Sequence, residues 1–175
     1  MICTKKKNMA ALIKRVAAAA LVIVLMVAFG GCSSTKGSKG STGSSQQQAA
    51  DSLAQAINSG NMEKVMKAML PDKAIKKLED ESGMSLSSIA SMYGAGSFEG
   101  VSNCKITVKE KQDIDKDDVE SFKENAEENL GVSVSDVEMR EIEMTATAYG
   151  STDTATGDAI FYKADGKWYI IPSDM

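Results

Sequence analysis

Histidine is absent from the 175 residues. That removes the commonest general base, the commonest metal ligand and the usual partner of a catalytic serine or cysteine. Disulfides within the folded part are equally out of reach. Of the three cysteines, Cys3 lies before and Cys32 just after an N-terminal apolar region that reads as an export signal, which leaves Cys104 alone, so the fold has to be held by its core. Cys104 alternates with Ile106 and Val108 and reads as a small buried hydrophobe, because a reactive thiolate needs a cationic neighbour. Basic charge is also scarce beyond the N-terminus. Lys5, Lys6, Lys7, Lys14 and Arg15 account for five of the 20 Lys+Arg, and no acid accompanies them in residues 1–31; residues 32–175 therefore keep 15 basic against 24 acidic residues, a net of −9. A surplus of that sign argues against a nucleic-acid partner, which is held by Lys and Arg on phosphates. What is present is an apolar content of 43% with 25% charged residues, enough for one globular core.

The basic N-terminus, with Met1 or Met9 as the start, runs into an unbroken apolar stretch, Val16 to Phe29, of 14 residues. A membrane-spanning helix needs about 20 such residues, so the stretch reads as the apolar region of a secretory signal. Phe29-Gly30-Gly31-Cys32 at its end resembles the lipobox of bacterial lipoproteins, with Phe29 where Leu is usual. The resemblance implies that residues 1–31 are removed and that Cys32 becomes a lipid-bearing N-terminus, holding the protein on the cell membrane and facing outside the cytoplasm. The alternatives are an ordinary secretory signal or an uncleaved anchor. Residues 33–48 that follow are Ser, Thr, Gly, Lys and Gln only. Such a segment cannot offset the entropy of ordering, and it reads as a flexible tether with a span on the order of 20–24 Å.

Residues 49–175 form the expected domain. Ala50, Leu53, Ala54 and Ile57 recur at helical spacing, and Asn58-Ser-Gly-Asn61 supplies a stop and the next N-cap. Met62, Val65, Met66, Met69 and Leu70 make a second stripe ended by Pro71; Ile75 and Leu78 mark a third helix ending near Gly83, and Ser85 caps a short fourth. The period then changes to two. Cys104, Ile106 and Val108 alternate with Lys105, Thr107 and Lys109, as in a half-buried strand. Asp115 to Asp118 open a helix lined by Val119, Phe122, Ala126 and Leu130 and closed by Gly131.

From Val137 a long strand carries apolar residues at odd positions, then at even positions from Ile142. That change of parity predicts a bulge near Arg140-Glu141. Asp165-Gly166 between Ala159–Tyr162 and Trp168–Ile171 predicts a two-residue hairpin. Its pairing puts Phe161, Trp168 and Ile170 on one face and Ile160, Tyr162, Tyr169 and Ile171 on the other. Two apolar faces imply that one packs on the helices, while the other either meets a second protomer, a partner or a ligand, or stays partly wet.

The order of helices, strand, helix and three-stranded meander resembles the cone-shaped nuclear transport factor 2-like (cystatin-like) fold. Ala56-Ile-Asn-Ser-Gly-Asn-Met-Glu-Lys64 with Leu70-Pro71-Asp72, and Tyr162-Lys-Ala-Asp-Gly-Lys-Trp-Tyr169, are similar to exported Gram-positive lipoproteins carrying that fold. The resemblance implies an α+β domain, N-terminal helices on a curved, bulged antiparallel sheet, with a pocket between helices and sheet and no catalytic set to transfer. Asp113, Asp115, Asp117 and Glu124 have the offsets of a calcium loop, but Asp118 stands where that loop needs Gly, so they read as helix capping and solvated charge. The methionines read as core filling, and no carboxylate pair is placed for acid/base work. The expected function is therefore that of a non-catalytic binding module, without cofactor or metal, meeting a protein, a cell-envelope component or its own copy. The alternatives are a small apolar ligand in the cone and, as an enzyme reading, an envelope hydrolase.

Overall fold

The computed structural model describes residues 45–94, 98 and 100–174. The signal, Cys32 and the tether up to residue 44 lie outside the described residues, as do residues 95–97 of the break after the fourth helix. Helix α1 spans Ser45–Asn58, α2 Met62–Met69, α3 Asp72–Ser82 and α4 Leu86–Gly94. Strand β1 (Val101–Gln112) and helix α5 (Lys116–Leu130) follow, then β2 (Val134–Ala148), β3 (Ser151–Ala164) and β4 (Lys167–Asp174). Among the described residues the fold is α+β, with five helices packed on one antiparallel sheet of order β1-β2-β3-β4 that does not close.

The helix signals act where their chemistry places them. Asn61 caps α2 by accepting from the Lys64 N–H at 3.1 Å, and Ser85 Oγ accepts from the Ser88 N–H at 3.3 Å in the first turn of α4. Gly83 and Gly131 end α3 and α5 at φ 68° and 65°, a left-handed geometry that costs glycine little. Asp165 and Gly166, at φ 52° and 76°, make the anticipated tight turn, which pairs Lys163 with Trp168, Tyr162 with Tyr169 and Phe161 with Ile170. A second turn of the same kind, Tyr149-Gly150 at φ 50° and 85°, joins β2 to β3.

Two elements differ from the expectation. The tether was to run to Gln48, but α1 already begins at Ser45 because its glutamines have work in the fold. Gln46 Nε2 donates to Glu138 Oε2 at 3.1 Å, and Gln47 bridges Ile106 O and Val108 N at 2.8 and 2.9 Å. The bulge expected near Arg140-Glu141 is carried by the partner strand: β2 runs in continuous register with β3 from Asp136 to Ala148, while β1 has the extra residue between Val108 and Lys111, which pair with Ile142 and Arg140. Further register shifts lie between Ser102 and Lys105 of β1, at the start of β2, and at Asp158/Ala159 where β3 meets β4. The parity of β2 switches because its two ends are covered on opposite faces. Ile142, Met144 and Ala146 face the core with Ile106 and Val108, whereas Val137 pairs with Tyr162 and Met139 with Ile160 on the other face.

Helix α1 packs against β1 and β4, the two edges of the curled sheet, and fills the space between them. Leu53, Ile57, Val65, Met69, Ile106, Ile142, Phe161 and Ile170 are all fully buried there. Each such side chain contributes about 1.5–3 kcal/mol through water exclusion.

Candidate functional site

The opposite face of the sheet is where the sequence placed an interface. Helix α5 lies over it at the hairpin end. The Phe122 ring of α5 tilts at 56° against Tyr162 with centroids 5.5 Å apart, and Tyr162 stacks on Tyr169 at 5.5 Å and 25°. Tyr162 is 1% exposed and its Oη donates to the Met69 carbonyl, 2.7 Å away at the end of α2; Tyr169 is 7% exposed. Burial, with Tyr169 beside it, pushes the Tyr162 phenol far above its ordinary range. Tyr169 is raised by burial and by the Asp72 and Asp165 carboxylates, while Lys167 Nζ lies 5.4 Å from its ring centroid. Tyr162 and Tyr169 of the expected interface are thus largely buried within the chain itself. Ile160 and Ile171 remain half-buried.

Beside this aromatic stack, α5 does not seal the sheet. An open groove of about 370 Å³ remains, lined by Asp113, Ile114, Asp115, Asp118, Phe122, Met139 and Ile160. Its walls follow from local chemistry. The turn leaving β1 carries Asp113 and Ile114, Asp115 is the N-cap residue of α5, and Phe122 sits seven residues further on the inward stripe. Met139 and Ile160 are directly opposite each other on β2 and β3 and so project to the same side. The floor is apolar and half-buried, and the three carboxylates stand exposed at the mouth. Among the described residues, none of the three is held by a hydrogen bond or ion pair. A smaller groove of about 260 Å³ lies between α1, Ala68 and the Gly166–Trp168 end of β4, lined mainly by uncharged groups with one lysine.

The remaining perturbed groups are not poised for proton transfer. Cys104 is 6% exposed and burial pushes its thiol up to about 11. Partial burial opposes ionisation of Glu138, but the Arg140 guanidinium at 2.8 Å and then the Lys111 ammonium at 3.4 Å outweigh it and hold the carboxyl below its usual value. No group of three or more potential metal ligands is brought together among the described residues. Asp113 and Asp115 of the calcium-like spacing do face one groove, but Asp117 and Glu124 are not part of its lining.

Comparison with known protein families matches none of them to this chain, and comparison with curated proteins finds no relative. The groove itself went unread in the sequence. Its signals were the odd-numbered Met139 and the α5 stripe, which only coincide once α5 is known to cross the far face of the sheet.

Proposed function

We propose that this chain is a lipoprotein held on the cell membrane by lipid on Cys32, facing outside the cytoplasm, whose domain binds a ligand or partner and does not catalyse. The 14-residue apolar run ending in Gly30-Gly31-Cys32 supports the anchor. Each acyl CH₂ placed in the bilayer contributes about 0.8 kcal/mol, so several chains hold a domain durably. Among the described residues no helix is long and apolar enough to cross a membrane.

The observation that carries the binding reading is the groove beside α5, where an apolar floor stays half-open to solvent next to three unpartnered carboxylates. Between α1 and the sheet, where a cone-shaped fold would hold a ligand, Leu53, Ile57, Phe161 and Ile170 are fully buried, which favours the far face for binding.

Expression of the full chain with Cys32→Ser tests the anchor. The wild type is expected in the detergent phase after Triton X-114 partitioning and the variant in the aqueous phase. Unchanged membrane attachment of the variant would refute lipid on Cys32. Native mass spectrometry of the matured protein, released in mild detergent, tests the binding reading through a retained small molecule or partner.

A further inference from the structure

We propose that the groove between α5 and the β2–β3 face takes a small cationic amphiphile, a primary ammonium head on an apolar tail. The inference rests on the reading of this groove as the domain's binding site and adds the class of ligand. Its floor, Ile114, Phe122, Met139 and Ile160, is half-buried against the core and presents carbon to the tail. At about 370 Å³ the groove is near the lower end of cavities that hold small molecules, roughly 300–1,000 Å³. Its mouth decides the sign of the head group. Asp113, Asp115 and Asp118 converge there with no hydrogen bond or ion pair among the described residues, so their charge is available to a ligand.

Two nearby positive features oppose a cation, and neither prevails. The N-terminus of α5 is equivalent to about half a positive charge, and Lys116 adds one on the first helical residue. Three carboxylates exceed both together. An ammonium carries three N–H donors and meets carboxylate oxygens in charge-assisted hydrogen bonds. An anionic amphiphile would find the same floor but a repelling mouth, on a chain whose residues 32–175 carry 15 basic against 24 acidic side chains.

The test titrates decylammonium, decanol and decanoate, each below its micelle-forming concentration, into the matured protein at pH 7 and follows the amide and methyl resonances of residues 113–122, Met139 and Ile160. Decylammonium is expected to shift these signals and to bind about tenfold more tightly than decanol, with decanoate weakest. Asp113→Asn, Asp115→Asn and Asp118→Asn combined should remove that advantage while leaving decanol binding unchanged. These positions are exposed, so the variant keeps its fold, and an unchanged circular dichroism spectrum verifies this. Equal binding of all three probes, or retention of the advantage in the triple variant, overturns the cationic class and leaves the groove as a binding site. Shifts confined to other residues, or no binding by any probe, overturn both the ligand class and the groove.

Discussion

The free edge of β1 is closed by two side chains of α1, and removing one of them gives a quantitative test of how this domain is held together. Asn58 Nδ2 donates to the Cys104 carbonyl at 2.8 Å, and Asn58 Oδ1 accepts from the Cys104 N–H at 2.6 Å. Gln47 makes the matching bridge to Ile106 O and Val108 N. The bulge between Ser102 and Lys105, with Asn103 at φ 53°, takes Cys104 out of pairing register with β2, and Asn58 supplies both of its backbone partners. Asn58→Ala deletes two hydrogen bonds of about 1 kcal/mol each. The expected loss is about 2 kcal/mol, or roughly 8 °C in Tm for a domain of this size. Asn58→Asp keeps the acceptor and loses the donor, and should cost about half as much. Gln47 and Asn58 are about 16 Å apart along the helix, so the two alanine variants should add to about 4 kcal/mol. Urea denaturation followed by far-ultraviolet circular dichroism measures these differences. The double variant also bares the β1 edge, and sedimentation should show stronger concentration-dependent association than for the wild type. A cost below about 0.5 kcal/mol for Asn58→Ala, or strong non-additivity in the double variant, would show that the amides do not hold the edge.

Tyr162→Phe leaves the buried Met69 carbonyl without its donor and should destabilise by about 1–3 kcal/mol with the near-ultraviolet spectrum retained; an unchanged urea midpoint would refute this role. Cys104 should stay unreactive toward a thiol reagent at pH 8 until the chain opens, and reaction within seconds in the native state would contradict its burial. Its thiol, raised from 9.0 to about 11 in the folded chain, deprotonates first in the unfolded chain, so stability should fall as pH rises from about 9 to 11, and Cys104→Ala should flatten that part of the curve. Glu138 has the opposite sign. Its folded value lies below the ordinary 4.5, so its contribution is complete above that pH and is lost as pH falls through the folded value; Glu138→Gln should remove this part of the acid-side slope, as read from urea midpoints between pH 3 and 7.

Much of the domain is legible residue by residue because caps, stops and tight turns act over a few positions. Asn61, Gly83, Ser85, Gly131 and Asp165-Gly166 each act on backbone groups within a turn of themselves, and the elements they bound appear in the expected order. The first half of β3 was harder to see. Residues 151–158 offer little apolar alternation, and they become a strand by continuing the Tyr149-Gly150 turn along β2, with hydroxyl pairs Thr145–Thr154 and Thr147–Thr152 at 2.9 Å. Gln46–Gln48 likewise read as tether because a polar residue's helical role is visible only when its hydrogen-bond partner is known.

Which element covers which face is not a local property. Apolar parity in β2 and on the β3–β4 hairpin shows that both faces carry apolar side chains at one end of the sheet, since successive residues of a strand point to opposite faces. It could not name the cover, and a bulge in β2 or a second molecule over the tyrosines satisfied the same pattern. The answer comes from the crossing of α5 over the sheet, which brings Phe122 to Tyr162 across 40 positions of sequence and covers that ring. The same crossing leaves Met139 and Ile160 only half covered, and the groove exists because one helix is narrower than the apolar face beneath it.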